Sequence, residues 1–298
     1  RAVDQLSERI TQITQELLDA VLPQGRMDVV SDIAFPLPAK AIAVLLGVPD
    51  EDWDIFRRWA GGPERASTAR SREEAMRSVR EMEQQMYDYF SELLAARRRS
   101  PRPDLISTLS VAEIDGVRLS EGELVKFCLL LLAAGQETTK NLIANAIYVF
   151  TEHPDLCAQL IQEPNLMPSA IEEVLRYLPP VWFTLRRTKT AVELGGQHIP
   201  ENAIIQVWNA SANYDAAMFA DPERFDVRRE PNRHLTFGHG IHFCIGAPLA
   251  RLEARIALPM MLAQLKEIQR VPSVPIIVRS GLVYVIQSLP ITFQARAL

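Results

Sequence analysis

Apolar residues recur at three- and four-residue intervals over most of the first two-thirds of the chain, a spacing that favours amphipathic helices. On this pattern we predict helices at about 2–21, 33–46, 51–59, 71–98, 120–151 and 169–177, with a break at Gly61-Gly62-Pro63. The helix at 120–151 begins with Ser120 and Glu123 at capping-box spacing and is followed by Pro154. Its middle is apolar on nearly all sides, which predicts that it crosses the centre of the molecule.

After Pro179-Pro180 the pattern changes to short apolar runs separated by turns, which indicates strands. We predict strands at about 192–200, 203–208, 276–278, 283–287 and 291–293. The segment 247–258 differs, because its apolar spacing and its early Pro248 predict a helix. The predicted fold class is therefore mainly α with a small β region (α+β), in a single domain over residues 1–298.

Composition excludes several function classes. The formal net charge of −5 argues against nucleic acid as a partner, since such binding needs a strongly basic face. The longest apolar run, 127–135, is too short to cross a bilayer, so we expect no membrane partner. Three widely spaced cysteines indicate a reducing compartment without a disulfide framework, and we expect a cytoplasmic location.

The segment Phe237–Gly246 places one cysteine, Cys244, in a glycine-rich loop ahead of the predicted helix at 247–258. A helix N-terminus favours the thiolate over the thiol, and the thiolate is both the nucleophile and the metal ligand. Gly238 and Gly240 let the backbone adopt a tight turn and approach a flat ligand closely. Two other readings stay open: a buried small hydrophobe, and a nucleophile with His242 as its neighbour.

A second polar feature, Ala134–Thr139, interrupts the apolar middle of the long helix. Gly135 weakens a helix by about 1 kcal/mol relative to alanine, and Thr138 and Thr139 can bend it by bonding back to carbonyls. Glu137 adds a carboxylate among leucine and alanine residues, which indicates a groove that holds water and passes protons. The alternative is a tolerated polar patch where two helices meet.

A third feature is a pair of opposite charges on one helix. Glu173 and Arg176 lie three residues apart and share a helix face among apolar neighbours. Arg224, in the coil that follows Pro222, is expected to complete a network with them. The alternative is a surface ion pair, which contributes little to stability.

Together these features resemble the cytochrome P450 family, the haem-thiolate monooxygenases, in the right order along nearly the whole chain. The resemblance implies the P450 fold, haem b (iron protoporphyrin IX) as cofactor and Cys244 as the axial iron ligand. It also implies that Glu137 and Thr138 deliver protons to bound dioxygen, and that Arg186 and His242 bind the haem propionates. The expected cofactor-binding residues are Ala134, Gly135, Arg186, Phe237, Gly238, His242 and Cys244.

By the same resemblance, the chain inserts one oxygen atom of O2 into a hydrophobic small organic substrate. Electrons are expected from a ferredoxin and a ferredoxin reductase, with Arg251 and Arg255 either on the docking face or simply solvated. The expected substrate pocket is lined by Leu131, Val181, Trp182, Phe183 and Thr184. Core packing is the alternative role for Trp182 and Phe183.

Three other functions stay open: a peroxygenase that uses H2O2, a non-enzymatic haem-binding protein, and an interaction module without haem. The family's earlier portion, with sheet strands, roofing helices and a propionate-binding His/Arg pair, is not found. We therefore expect this chain to be the C-terminal portion of the full fold, without its N-terminal strands and helices.

Overall fold

The computed structural model describes residues 3–60, 71–113, 115–272, 274, 276–279 and 281–296. The chain divides into two compact units, one made of residues 1–21 and 31–140, the other of residues 22–30 and 141–298. The break predicted at Gly61-Gly62-Pro63 lies outside the described residues.

The first unit is built from helices. These are α1 (Ser7–Val21), α2 (Pro36–Leu46), α3 (Trp53–Ala60), α4 (Arg72–Arg99), α5 (Leu105–Val111) and the first part of α6 (Glu121–Glu152). All but α5 fall where the apolar spacing predicts a helix. The seven residues of α5 are too few to show a helical repeat in the sequence, and this helix was not predicted.

Side-chain caps fix where several of these helices begin, α5 and α6 among them. Asp104 accepts a hydrogen bond from the Ser107 N–H (2.7 Å) at the start of α5. At the start of α6, Glu123 accepts from the Ser120 N–H (2.8 Å), while the Ser120 hydroxyl accepts from the Glu123 N–H (3.3 Å). The capping box expected from the sequence is therefore confirmed.

The end of α2 is fixed against the start of α5. Gly47 ends α2 in the left-handed conformation (φ 73°), and a Cβ there would lie 2.2 Å from Oδ2 of Asp104. Asp104 forms a buried ion pair with Arg97 of α4, whose guanidinium also donates to the Gly47 carbonyl. Only glycine meets both conditions, the positive φ and the close approach.

The second unit combines helices with small sheets. Its helices are the later part of α6, α7 (Pro154–Gln162), α8 (Met167–Tyr177), α9 (Asn209–Ala212) and α10 (Ala247–Gln264). Its strands are β1 (Arg26–Asp28), β2 (Thr184–Arg187), β3 (Val192–Leu194), β4 (Gln197–Ile199), β5 (Ile204–Val207), β6 (Leu265–Arg270), β7 (Ile277–Arg279), β8 (Val285–Ser288) and β9 (Pro290–Ala295). In the described part of the chain they pair in antiparallel sheets ordered β1–β9–β6, β2–β5, β3–β4 and β7–β8.

The predicted class, mainly α with a small β region, is confirmed, although not every element was predicted. The helices α7 and α9 and the strands β1, β2 and β6 are additional. β1 is only three residues long, and β6 follows α10 with no turn residue between them. No residue pattern therefore marks where either strand begins. The part of α6 from Leu142 to Phe150 is buried almost throughout, as its all-round apolar pattern requires.

Candidate functional site

The loop that carries Cys244 is closed by main-chain hydrogen bonds. The Cys244 N–H donates to the Phe237 carbonyl (2.9 Å), and the Cys244 carbonyl accepts from the N–H of Ala247, the first residue of α10 (3.2 Å). Gly238 and Gly240 have φ values of 74° and 73°, which residues with a Cβ adopt only at a cost. The loop thus places Cys244 at the N-terminal end of α10.

Exposure separates Cys244 from the other two cysteines. Burial raises the pKa of the Cys128 thiol to about 12 and that of Cys157 to about 11, so both are protonated at neutral pH. Cys244 is exposed, which does not fit the role of a buried small hydrophobe. Because a metal is bound by the thiolate, Cys244 is the cysteine suited to ligation.

Large apolar side chains next to Cys244 are also exposed. Ile241, Phe243 and Ile245 expose 98%, 51% and 75% of their surface. Contiguous exposed apolar side chains typically mark a surface that another molecule covers. A thiol among such side chains fits a flat, largely apolar group that carries a metal.

Two basic side chains of the second unit, Arg186 and His242, have no carboxylate partner among the described residues. Arg186 lies on β2, and its guanidinium donates to the carbonyl of its neighbour Leu185 (2.8 Å). His242 ends the single helical turn Gly240–His242 and is exposed. Both are therefore suited to bind the carboxylates of a ligand.

Glu173 and Arg176 of α8 form a fully buried ion pair. Arg176 donates to both carboxylate oxygens of Glu173 at 2.8 Å. A second guanidinium, that of Arg229, lies 3.1 Å from each of the same oxygens. This network holds α8 against the coil that leads to the Cys244 loop.

The assignment of Arg224 to this network is corrected by the structure. Arg224 contributes its backbone carbonyl, which accepts from Arg176 (3.2 Å), and its side chain is exposed. The reason is a turn closed by the Arg224 N–H and the Asp221 carbonyl (3.0 Å), which leaves the Arg224 carbonyl on the side of Arg176. The guanidinium role belongs to Arg229, which the sequence analysis missed.

A second carboxylate of α8, Glu172, forms a separate cluster that the sequence analysis also missed. Glu172 accepts two hydrogen bonds from Arg251 of α10, both at 2.7 Å, and one from Nε2 of His234 at 3.0 Å. Nδ1 of His234 accepts from the Thr236 N–H (3.3 Å), so this network places the ring proton on Nε2. The available signal was the doubled acid Glu172-Glu173, because adjacent helical residues point about 100° apart and need different partners.

Electrostatics favour the ionised form of Glu172. Burial by itself would raise its pKa, but the hydrogen bonds from Arg251 and His234 outweigh burial and hold the pKa at about 2. The Arg251 guanidinium also lies over the Phe237 ring, 4.4 Å from its centroid. One carboxylate therefore joins α8, α10 and the loop of Cys244.

In the first unit, α6 runs without a break through the polar segment Ala134–Thr139. The Thr138 hydroxyl donates back to the Ala134 carbonyl (2.8 Å), the local bond expected of a threonine in a helix. Gly135 is required by close packing, since a Cβ there would lie 2.7 Å from Cδ1 of Ile42 on α2. The sequence alone indicated only a weakened helix.

A cavity of about 740 Å³ lies along α6 in the first unit. Glu137 is part of its lining, and the apolar lining includes Trp59, Met82, Met86, Leu129, Leu130 and Ala133. Cavities of this size and character typically bind small organic molecules. Leu131, which the sequence analysis placed in a substrate pocket, does not line this cavity.

The other predicted pocket residues lie in the second unit: Val181, Trp182, Phe183 and Thr184. Trp182 stacks on Tyr284 with ring centroids 5.3 Å apart, and Phe183 contacts Trp208 at 4.9 Å. Both aromatic residues thus have packing partners within their own unit, the alternative that the sequence left open. Their contact with a substrate stays a prediction.

Comparison with known proteins assigns the chain to a family. The sequence model for cytochrome P450 matches residues 66–292. The chain belongs to the cytochrome P450 family. Cytochrome P450 107B1 of Saccharopolyspora erythraea is 44% identical over 274 residues, which are 92% of this chain and 66% of that protein. The cyclomarin C epoxidase CymV of Salinispora arenicola is 42% identical over 277 residues, which are 93% of this chain and 70% of that enzyme.

A solved P450 structure confirms the fold. Cytochrome P450 CYP109Q5 from Chondromyces apiculatus superposes with a TM-score of 0.93 at 40% identity, covering 100% of this chain and 74% of that one. The expected P450 fold is therefore confirmed. This P450 chain spans about two thirds of the length of the curated relatives it matches, 66% of the first.

Proteins of the P450 family are oxidoreductases with haem b as their cofactor. The donor set of the second unit fits that cofactor. It offers an exposed thiol at a helix N-terminus, exposed apolar side chains beside it, and two basic side chains suited to propionates. Over the described residues, no helix combines the length and the apolar character needed to span a bilayer.

Proposed function

We propose that this P450 chain is a haem-thiolate monooxygenase that inserts one oxygen atom of O2 into a hydrophobic small organic substrate. The observation that carries the proposal is the exposed Cys244 at the N-terminal end of α10, in a family whose cofactor is haem b. When bound, haem b supplies the activation of dioxygen, since thiolate ligation increases electron density at the iron and favours O–O cleavage.

The second unit supplies the groups that hold the cofactor. Cys244, at the N-terminal end of α10, is the proposed iron ligand. Arg186 and His242 bind the propionates, while Phe237 and Gly238 contact the porphyrin. Ala134 and Gly135 of α6 remain proposed cofactor contacts on the resemblance alone.

The first unit supplies the groups that handle protons. Glu137 lines the cavity along α6 and is partly exposed, so water can reach its carboxylate. The Thr138 hydroxyl donates to the Ala134 carbonyl, which leaves the oxygen of this hydroxyl as an acceptor that orients a water. The two side chains are the proposed acid–alcohol pair.

The cavity along α6 supports the proposed substrate class. A volume of about 740 Å³ with leucine, methionine and tryptophan in its lining suits a small hydrophobic molecule. One relative is named as an epoxidase, so insertion into a carbon–carbon double bond is a candidate reaction besides hydroxylation. The lining of this cavity includes none of the pocket residues expected from the resemblance, and substrate contact stays a proposal from the resemblance alone for Leu131, Val181, Trp182, Phe183 and Thr184.

The partners are part of the same proposal. A ferredoxin and its reductase supply two electrons per turnover, and no nucleic acid or membrane takes part. We further propose one haem domain over residues 1–298 and a cytoplasmic location.

Isotope-labelled dioxygen tests the proposal. Purified protein is incubated with a panel of hydrophobic substrates under ¹⁸O2, with a ferredoxin, its reductase and NADPH, or with unlabelled H2O2 alone. A product with one ¹⁸O atom that requires the electron donors is expected. Product formed only with H2O2 would identify a peroxygenase, and a haem-loaded protein that forms no product under either condition would contradict the enzyme assignment.

A matched pair of carboxylates tests the proton role. Glu137→Gln should lower the amount of product per NADPH consumed at least about tenfold, as expected for loss of a general acid. Glu83→Gln, which changes another carboxylate of the same cavity, should leave this ratio unchanged. Equal losses in both variants would remove Glu137 from the mechanism.

A further inference from the structure

The cluster of Glu172, His234 and Arg251 has no role in the function proposed above. Glu172 and Arg251 form a two-point ion pair whose N–O distances are both 2.7 Å, and both side chains are mostly buried. A planar guanidinium bound at two points by a carboxylate has a fixed orientation, which a lysine would not have. The position of the Arg251 charge is therefore well defined.

Two observations place that charge close to Cys244. The Arg251 guanidinium lies 4.4 Å from the centroid of the Phe237 ring, and the Phe237 carbonyl accepts the Cys244 N–H at 2.9 Å. The pKa of Arg251 is raised, first by its hydrogen bond to Glu172 and then, against the effect of burial, by the charges of Glu172 and Cys244. The sulfur of Cys244 therefore experiences the positive charge of Arg251, and Glu172 partly neutralises that charge.

We propose that Glu172 and Arg251 are positioning residues that set how strongly the Cys244 thiolate donates to the haem iron, and hence the reduction potential of the haem. The proposal rests on the function proposed above, which assigns Cys244 as the iron ligand. A positive charge near a thiolate stabilises the charge on sulfur and weakens its donation to the metal. Outer groups of this kind are among the means by which proteins tune a metal centre.

The two charges have opposite effects on the potential. Glu172→Gln leaves the Arg251 charge uncompensated, which favours the reduced iron and raises the midpoint potential. Arg251→Gln leaves the Glu172 charge uncompensated, which disfavours the reduced iron and lowers the potential. At one fixed ambient potential, the ratio of reduced to oxidised haem should change about fivefold in each case, in opposite directions.

The experiment is a chemical reductive titration of the haem in the purified protein, followed by its absorption spectrum. The control is Arg255→Gln, which removes one exposed arginine from the same helix and should leave the potential unchanged. Glu172→Asp and Arg251→Lys keep the two charges, so their potentials should remain close to that of the unchanged protein. These conservative variants also provide the comparison if a neutral variant fails to retain haem.

The outcomes separate this proposal from the proposed function. The reduced carbon monoxide spectrum of the unchanged protein comes first, and absence of a thiolate-type band there would overturn both. With that band present, opposite shifts in Glu172→Gln and Arg251→Gln support the electrostatic role. Shifts in the same direction, shifts no larger than in Arg255→Gln, or shifts as large in the charge-keeping variants would overturn it and leave the monooxygenase assignment intact.

Discussion

Nε of Arg229, and not the guanidinium of Arg224, lies 3.1 Å from both carboxylate oxygens of Glu173. Glu173 is fully buried and also accepts two hydrogen bonds from Arg176. Loss of the Arg229 side chain would leave Glu173 paired with Arg176 but without the hydrogen bonds from Arg229, which is more costly than losing a surface contact.

This relationship predicts different effects for two neighbouring arginines. Arg229→Leu should lower the free energy of unfolding by about 1–3 kcal/mol, the range for a buried acceptor that loses a hydrogen-bond partner. Arg224→Leu should change it by less than about 0.5 kcal/mol, because the Arg224 carbonyl remains and its side chain is exposed. Urea unfolding of both variants measures the difference, and equal losses would contradict the assignment.

The contact of Gly47 with Asp104 gives a second prediction. Gly47→Ala must adopt φ 73° and bring a Cβ against the carboxylate of Asp104, so we expect a loss of at least about 3 kcal/mol. Gly116→Ala is the control, because Gly116 has φ 77° and no neighbouring atom of the described residues lies within 4 Å of a Cβ there. The control should lose only about 1 kcal/mol from the backbone conformation. Similar losses in thermal unfolding would show that the contact with Asp104 has no effect.

The packing of Gly135 against Ile42 gives a third prediction. In the unchanged protein, Gly135→Ala should be destabilising, because its Cβ would lie 2.7 Å from Cδ1 of Ile42. In an Ile42→Val background, which lacks that methyl group, the same change should stabilise by up to about 1 kcal/mol, the helix propensity of alanine over glycine. A double-mutant cycle measured by urea unfolding gives the coupling between the two residues. No coupling would mean that Gly135 is required for another reason.

Glu253 gives a prediction for pH dependence. This α10 residue is fully buried, neither carboxylate oxygen has a hydrogen-bond partner among the described residues, and burial raises its pKa well above 4.5. The folded state therefore keeps the proton while the unfolded chain releases it, so the protein loses stability as the pH rises above about 4.5. Glu253→Gln removes this loss. The increase in unfolding free energy caused by Glu253→Gln should be about 1–3 kcal/mol larger at pH 7 than at pH 4.

Urea unfolding of both proteins at a series of pH values from 4 to 8 measures this effect. Glu83→Gln, an exposed carboxylate, is the control and should show no pH-dependent difference. A Glu253→Gln effect that is constant over the range would show that Glu253 is ionised in the folded protein.

The long helices of this fold could be predicted from the sequence because the helical spacing of apolar residues recurs over several turns in each. α4 and α6 begin and end within one residue of the predicted bounds, and the Ser120–Glu123 capping box marks where α6 begins. The helix α5 and the strand β1 could not be predicted, since their few residues show no periodicity. Long-range sheet pairing, such as β1 with β9, also has no local signal.

The candidate site shows the same limit at the level of side chains. The position of Cys244 in a loop just before a helix could be predicted because the loop and the helix are both local features of the sequence. Which arginine side chain pairs with Glu173, Arg224 or Arg229, depended on the turn at Asp221, which points the Arg224 carbonyl toward Arg176. The spacing of residues in the sequence carries no information on the direction of that carbonyl. The partners of Glu172, His234 and Arg251, are 62 and 79 residues away in sequence, so only the structure could identify them.

The reduced carbon monoxide difference spectrum of the purified protein tests the central claim most directly, because its Soret position reports whether sulfur binds the iron. The unchanged protein and Cys157→Ser should both show a thiolate-type band, since Cys157 is a protonated thiol at neutral pH. Cys244→Ser should lose that band completely. An unaltered band in Cys244→Ser would show that another residue binds the iron and would contradict the account.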